Sequence, residues 1–196
     1  MRAIVITGGP CSGKTTVISA IKEQFQDEIL IIPEIATILL EGGFPIPGVH
    51  IKWSQDWQNA FQDAVIVAQK SFERAYAMMA REKNAKFLVC DRGLLDGAAF
   101  LAGGLAEFCE RYDVKLDAAF ARYRTVIHLE SLATAFPHLY GKHGNESRFE
   151  ALERAQQVEH ATRAAWNQHP AWHFVAGTEQ AEEKIATVLN LIKESA

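Results

Sequence analysis

The stretch Ala3-Ile4-Val5-Ile6-Thr7-Gly8-Gly9-Pro10-Cys11-Ser12-Gly13-Lys14-Thr15-Thr16 decides the fold. Its first five residues are apolar and β-branched and read as a buried strand. Gly8 to Thr15 fits G-x-x-x-x-G-K-[ST]. Val17, Ile18, Ile21 and Phe25 then recur at helical spacing, predicting a helix from Thr15 to Gln26. Strand, glycine turn and helix in that order make a phosphate cradle. Glycines let backbone N–H groups turn inward onto phosphate oxygens, and the helix N-terminus adds partial positive charge. Gly8, Gly9, Pro10, Cys11, Ser12, Gly13, Lys14, Thr15 and Thr16 are therefore the expected triphosphate-binding residues. Lys14 is placed to reach the outer phosphates, and the Thr15 hydroxyl to ligate Mg²⁺.

Outward from this loop, short apolar runs alternate with longer segments of helical period. Glu28–Pro33, Lys86–Cys90, Thr125–Leu129 and Trp172–Ala176 read as further strands. One long amphipathic helix is predicted from about Ser54 to Arg81, with Trp53, Trp57, Phe61, Val65, Ala68, Phe72, Tyr76 and Met79 stepping by three or four. That stripe is expected to pack in the core, though Trp53 and Trp57 have rings suited to stacking on a substrate. Further helices are expected from about Arg148 to Gln168 and from about Thr178 onward. Near-continuous apolar strands separated by helices define an α/β fold, a parallel sheet covered on both faces.

In such a sheet, ligands sit outside the carboxyl ends of the strands. Asp91 follows Phe87-Leu88-Val89-Cys90, where a triphosphate-bound Mg²⁺ requires a carboxylate; a helix N-cap is the plainer role. Thr15 and Asp91 are the expected metal residues. Arg92 follows with a planar fork suited to phosphate oxygens, and Asp96 points at the same neighbourhood. Glu34 ends Ile31-Ile32-Pro33 and is placed to accept a proton from an attacking hydroxyl, or else simply to face a helix dipole. The polar stretch Ala133–Glu146 and the cations after it suggest a lid over about 133–148. Arg148 and Arg154 are the candidate closing charges, unless they are solvated helix residues. Lys14, Glu34, Asp91, Arg92 and Arg148 form the expected catalytic set. His138 and His143 have no third ligand at metal spacing, so no zinc site is expected.

With about 150 residues to a domain, 196 residues predict one domain or one domain plus a small insert, read here as a single P-loop domain over 1–196. Hydrophobic residues are 48% and charged residues 22%, which excludes a disordered or fibrous chain. Twenty Lys and Arg against 24 Asp and Glu give a net charge of −4. That balance argues against stable nucleic-acid binding. Cys11, Cys90 and Cys109 form no CxxC pair and read as reduced thiols. The first residues are too short an apolar run for a signal peptide, and no run reaches the roughly 20 residues of a membrane span. A cytoplasmic protein is expected, with homodimerisation left open.

GGPCSGKTT, IPEIATILLEGGFP, CDRGLLDGAAF and NESRFEALERA with a later WNQHP occur here in an order and spacing that resemble the AAA-type P-loop family. That family includes NadR-like kinase domains and ATP- or GTP-binding proteins. The resemblance spans Ile4 to about Ala176. It implies a nucleoside- or nucleotide-kinase-like sheet, five parallel strands in the order 2-3-1-4-5. Related deoxynucleoside kinases look similar: on that comparison Glu34 corresponds to the base and Asp91-Arg92 to the metal and substrate pair. The expected activity is transfer of the ATP γ-phosphoryl group, with Mg²⁺, to a hydroxyl of a nucleoside, nucleotide or other small acceptor. GTP is the alternative triphosphate. The alternative function is a nucleotide-dependent switch with slow hydrolysis; its guanine-reading N-K-x-D element is missing, since Val114-Lys115-Leu116-Asp117 lacks the asparagine.

Overall fold

The computed structural model describes residues 3–140 and 152–195. Five strands, β1 (Ala3–Thr7), β2 (Ile29–Ile32), β3 (Phe87–Asp91), β4 (Tyr123–Leu129) and β5 (Trp172–Val175), form one parallel sheet in the order β2-β3-β1-β4-β5. Alternation at the strand period of two sends Val5, Leu88 and Cys90 to one face and Ile4, Ile6 and Val89 to the other. On the first face they meet α3 (Gln55–Glu82), the 3₁₀ segment Leu94–Phe100, α4 (Gly104–Arg111), α5 (Leu116–Phe120) and α7 (Leu152–Trp166). On the second they meet α1 (Lys14–Phe25) and α8 (Ala181–Glu194). The short helices α2 (Ile35–Glu41) and α6 (Leu132–Ala135) lie at the carboxyl ends of β2 and β4.

Strand register sets the heights of the chemically active residues. Ile6 pairs with Asp91 and Ile32 with Cys90, so Asp91 and Glu34 emerge beside Gly8 at one rim of the sheet. Thr7 pairs with His128, which brings β4 under the same loop. Ser54 caps α3, its hydroxyl accepting the Trp57 N–H at 3.1 Å, so the long helix begins where capping chemistry predicts.

The aromatic stripe of α3 departs from its expected role at one end. Phe61 is buried and Phe72 and Tyr76 pack on the core, but Trp53 is 61% exposed and Trp57 half-buried. Trp53 precedes the Ser54 cap, and Trp57 packs on Phe44 at 6.2 Å rather than on the sheet. The segment after β3 forms a 3₁₀ turn and two short helices. Gly103 and Gly104 separate the 3₁₀ turn from α4, and Asp113 at φ 47° turns the chain between α4 and α5.

Candidate functional site

The loop from Gly8 to Thr15 wraps tightly between β1 and α1. Gly8 sits at φ 139°, and a Cβ there would collide with the Leu129 carbonyl, so the first loop position admits glycine alone. Gly13 (φ 85°) turns the chain into α1. Lys14 is buried and folds back over the loop, its Nζ donating to the carbonyls of Gly8 and Gly9 at 3.0 Å each and to Ser12 Oγ at 3.1 Å. Thr15 and Thr16 are exposed toward a cavity of about 620 Å³, which Cys11, Lys14, Asp91 and Glu34 also line. Leu132, Leu139, Thr178 and Ile185 also line it, and its size and mixed lining suit a nucleoside triphosphate.

Opposite Lys14, three charged side chains interlock. Arg92 Nε donates to Glu34 Oε1 at 2.6 Å, and Nη1 to Asp96 Oδ1 and the Gly8 carbonyl at 3.1 Å each. Arg92 adopts φ 70°, a left-handed conformation costly for a residue with a Cβ. Its N–H bonds Ile6 O at 3.0 Å, and its carbonyl accepts from Gln69 Nε2 at 3.3 Å, so both neighbours hold it there. Thr37 Oγ1 donates to the other oxygen of Glu34 at 2.7 Å. Burial works against ionised Glu34, but the charge and hydrogen bond of Arg92 outweigh it and hold the carboxyl down at about 2. Glu34 is thus a charged, oriented acceptor and a weak base.

Asp91 stands in the opposite condition. Burial and the neighbouring Glu34 charge push its carboxyl up to about 6 against the pull of Lys14 and Arg92, and Oδ1 has no hydrogen-bond partner among the described residues. A buried, unsatisfied carboxylate oxygen on the wall that holds Thr15 fits a site for Mg²⁺.

Asp96, which the sequence places near the substrate, is consumed by the scaffold. It accepts from Thr7 Oγ1 (2.6 Å), Arg92 Nη1 (3.1 Å), the Gly93 N–H (2.9 Å) and Trp166 Nε1 (2.9 Å). With every acceptor position engaged, it braces Arg92 and ties β1, the 3₁₀ segment and α7 together.

A second cavity of about 560 Å³ lies on the other side of Glu34. Arg92 forms its floor, and Trp57, Phe61, Gln62 and Val65 of α3 form one wall. Trp57 and Phe61 stack at 5.1 Å, and Trp57 Nε1 donates to Pro45 O at 2.7 Å, which fixes the indole plane. Gln62 Oε1 is buried without a hydrogen-bond partner among the described residues. Arg154 lines this cavity rather than the nucleotide cavity, so the structure does not aim it at the phosphate loop. Arg148 and positions 141–148 of the expected lid lie outside the described residues.

Sequence reading missed the supports of the loop. Glu159 on α7 accepts the Gly9 N–H, Ser131 Oγ donates to the Pro10 carbonyl, and Lys184 on α8 donates to Ser12 O at 3.0 Å and Glu130 O at 3.1 Å. Burial pushes the Lys184 ammonium below its ordinary value, against the pull of Glu130 and Glu159. Two signals were available: His128 interrupts the apolar run Val126–Leu129, and Lys184 stands in the i, i+4, i+8 series with Val188 and Ile192. Cys11, Cys90 and Cys109 are free, and no helix among the described residues is long and apolar enough to cross a membrane.

The strand order, the loop between β1 and α1 and the acids at the adjacent strand ends define a P-loop nucleotide-binding protein. Residues 3–184 match the family model described as AAA domain, and the chain belongs to that family. No curated protein matches it.

Proposed function

We propose that the protein is a small-molecule kinase that transfers the γ-phosphoryl group of ATP to a hydroxyl of a nucleoside, nucleotide or similar ring-bearing acceptor. The observation that carries this reading is the pair of cavities meeting at Glu34. A switch that only binds and hydrolyses its nucleotide has no use for a second, aromatic-walled cavity that shares Glu34 with the first.

In this reading the loop from Gly8 to Thr16 holds the triphosphate, and Lys14 leaves its loop carbonyls to bind the outer phosphates. Thr15 and Asp91 would hold Mg²⁺, which supplies charge neutralisation on the phosphate oxygens. Burial and Glu34 make the Asp91 carboxylate costly to keep, and a cation beside it would offset that cost. The acceptor ring lies along Trp57 and Phe61 with its hydroxyl toward Glu34 Oε. As the acceptor O–P bond forms and the bond from the γ-phosphorus to its bridging oxygen breaks, the hydroxyl proton passes to Glu34 and ADP departs. A base held at about 2 suits a loose transition state, in which the hydroxyl keeps its proton until late and needs aiming more than activation. Arg92 faces the developing charge from the acceptor side, with Arg148 as the candidate cation from the lid.

The test is ADP release from MgATP against a panel of nucleosides, nucleotides and small alcohols, with an acceptor-free control. A strong acceptor-dependent rise supports the kinase. Slow release that no acceptor changes, with tight nucleotide binding, supports the switch.

A further inference from the structure

Beneath the phosphate loop, away from both cavities, a buried acid holds its backbone. Glu159 is 2% exposed on α7; its Oε2 accepts the Gly9 N–H at 2.7 Å, and its Oε1 lies 2.6 Å from His128 Nε2. An ionised carboxylate only accepts, so Nε2 is the donor. His128 is itself fully buried in β4, stacked 5.9 Å from the Phe174 ring, and its Nδ1 has no hydrogen-bond partner among the described residues. Glu159 is therefore the one hydrogen-bond partner the ring has among the described residues, with Phe174 and Trp172 packed beside it.

The contact is tight and charged. A Cβ added to Gly9 would stand 2.7 Å from Glu159 Oε2 and 2.9 Å from Glu159 Cβ, so the loop backbone is pressed onto α7. Burial opposes a charged carboxyl here, yet the His128 hydrogen bond and charge, the Gly9 N–H and nearby Lys14 together hold Glu159 below its ordinary value. The chain keeps a full charge under the loop, where a Gln or an apolar residue would fill the same space. Charge-assisted bonds of this kind are among the stronger ones, and they fix direction as well as distance.

We propose that Glu159 is a positioning residue for triphosphate binding: with His128 behind it, it fixes the Gly9 peptide so that the rest of the loop stays turned toward the nucleotide cavity. Glu159 touches no substrate. Its effect passes through the loop backbone, whose N–H groups must converge on one anion without reorganising. The proposal rests on the reading of Gly8–Thr15 as a triphosphate cradle and is independent of the kinase assignment.

Equilibrium titration of MgATP by calorimetry, on folded wild-type, E159M and E159Q proteins, tests it. E159M removes the acceptor at similar volume and should raise Kd about 10- to 100-fold, whereas E159Q keeps an oxygen for Gly9 and should raise it roughly threefold or less. A purely structural role would lower the melting temperature of both variants and leave the Kd of the folded protein unchanged. Folded E159M with wild-type Kd overturns the proposal. If E159M does not fold, amide exchange of Gly9 in the nucleotide-free wild type decides: protection supports the clamp, and exchange at the rate of an open loop overturns it. Wild-type protein that binds neither MgATP nor MgGTP would overturn the cradle reading and the clamp together.

Discussion

Asp91→Asn should make the protein more stable and a worse binder of MgATP at the same time. In the fold the Asp91 carboxyl is lifted to about 6 from an ordinary 3.8, chiefly by burial and then by Glu34. At 1.36 kcal/mol per unit, keeping it ionised costs the native state about 3 kcal/mol above pH 6. The sign follows from proton binding. Between 3.8 and 6 the native protein holds more protons at this site than the unfolded chain, so stability falls as pH rises through that window. Asn removes the titration. The difference in stability between variant and wild type should therefore be largest at pH 7.5 and smaller by about 2 kcal/mol at pH 4.5. That change is independent of how well the amide itself packs, because packing contributes equally at both pH values. Urea unfolding of both proteins at the two pH values measures it. A difference that stays constant with pH, or that grows toward acid, refutes the argument. In the same preparations, MgATP affinity should fall in the variant, since the neutral amide is a poor ligand for a hard cation.

Three further outcomes follow from the same geometry. Lys14→Ala should raise the MgATP Kd on the order of a hundredfold, read by calorimetry, because it removes the charged donor proposed for the outer phosphates. Glu34→Gln should cut phosphoryl transfer by about a hundredfold or more in single-turnover assays while leaving MgATP affinity near wild type. It should also lower stability by about 1–2 kcal/mol in thermal melts, because Arg92 loses its closest charged partner. Trp57→Ala should raise the acceptor KM about tenfold and leave the triphosphate KM unchanged, since the indole forms a wall of the acceptor cavity alone.

Much of this site is legible in the sequence because the chemistry is local. A phosphate cradle needs its glycines, lysine and threonine within eight consecutive positions, and the strand before it and helix after it carry their own periodicities. Glu34, Asp91 and Arg92 are nearly as local: each sits just past an apolar run, and parallel register does the rest. The residues that the pattern hides act over long separations. Glu159 meets Gly9 across 150 positions and Lys184 meets Ser12 across 172, and nothing in helical spacing says which buried polar side chain will face a loop. Asp96 does meet Arg92, as its position suggests, but it serves the scaffold. An acid four residues past Arg92 invites a functional role, but its four donors come from Thr7, Arg92, Gly93 and Trp166, and only the last and first of these are remote in sequence. Amphipathic period marks which side of α3 turns inward, and it does not say that Trp57 there meets Phe44 and a cavity rather than the sheet.

The most direct measurement of the central claim is the fate of the γ-phosphoryl group in heavy-oxygen water. With the best acceptor from the panel, MgATP and enzyme, transfer predicts a phosphorylated acceptor by mass spectrometry with no solvent oxygen in its phosphate. Inorganic phosphate that carries a solvent oxygen, formed at the same rate with and without acceptor, would contradict a kinase at this site.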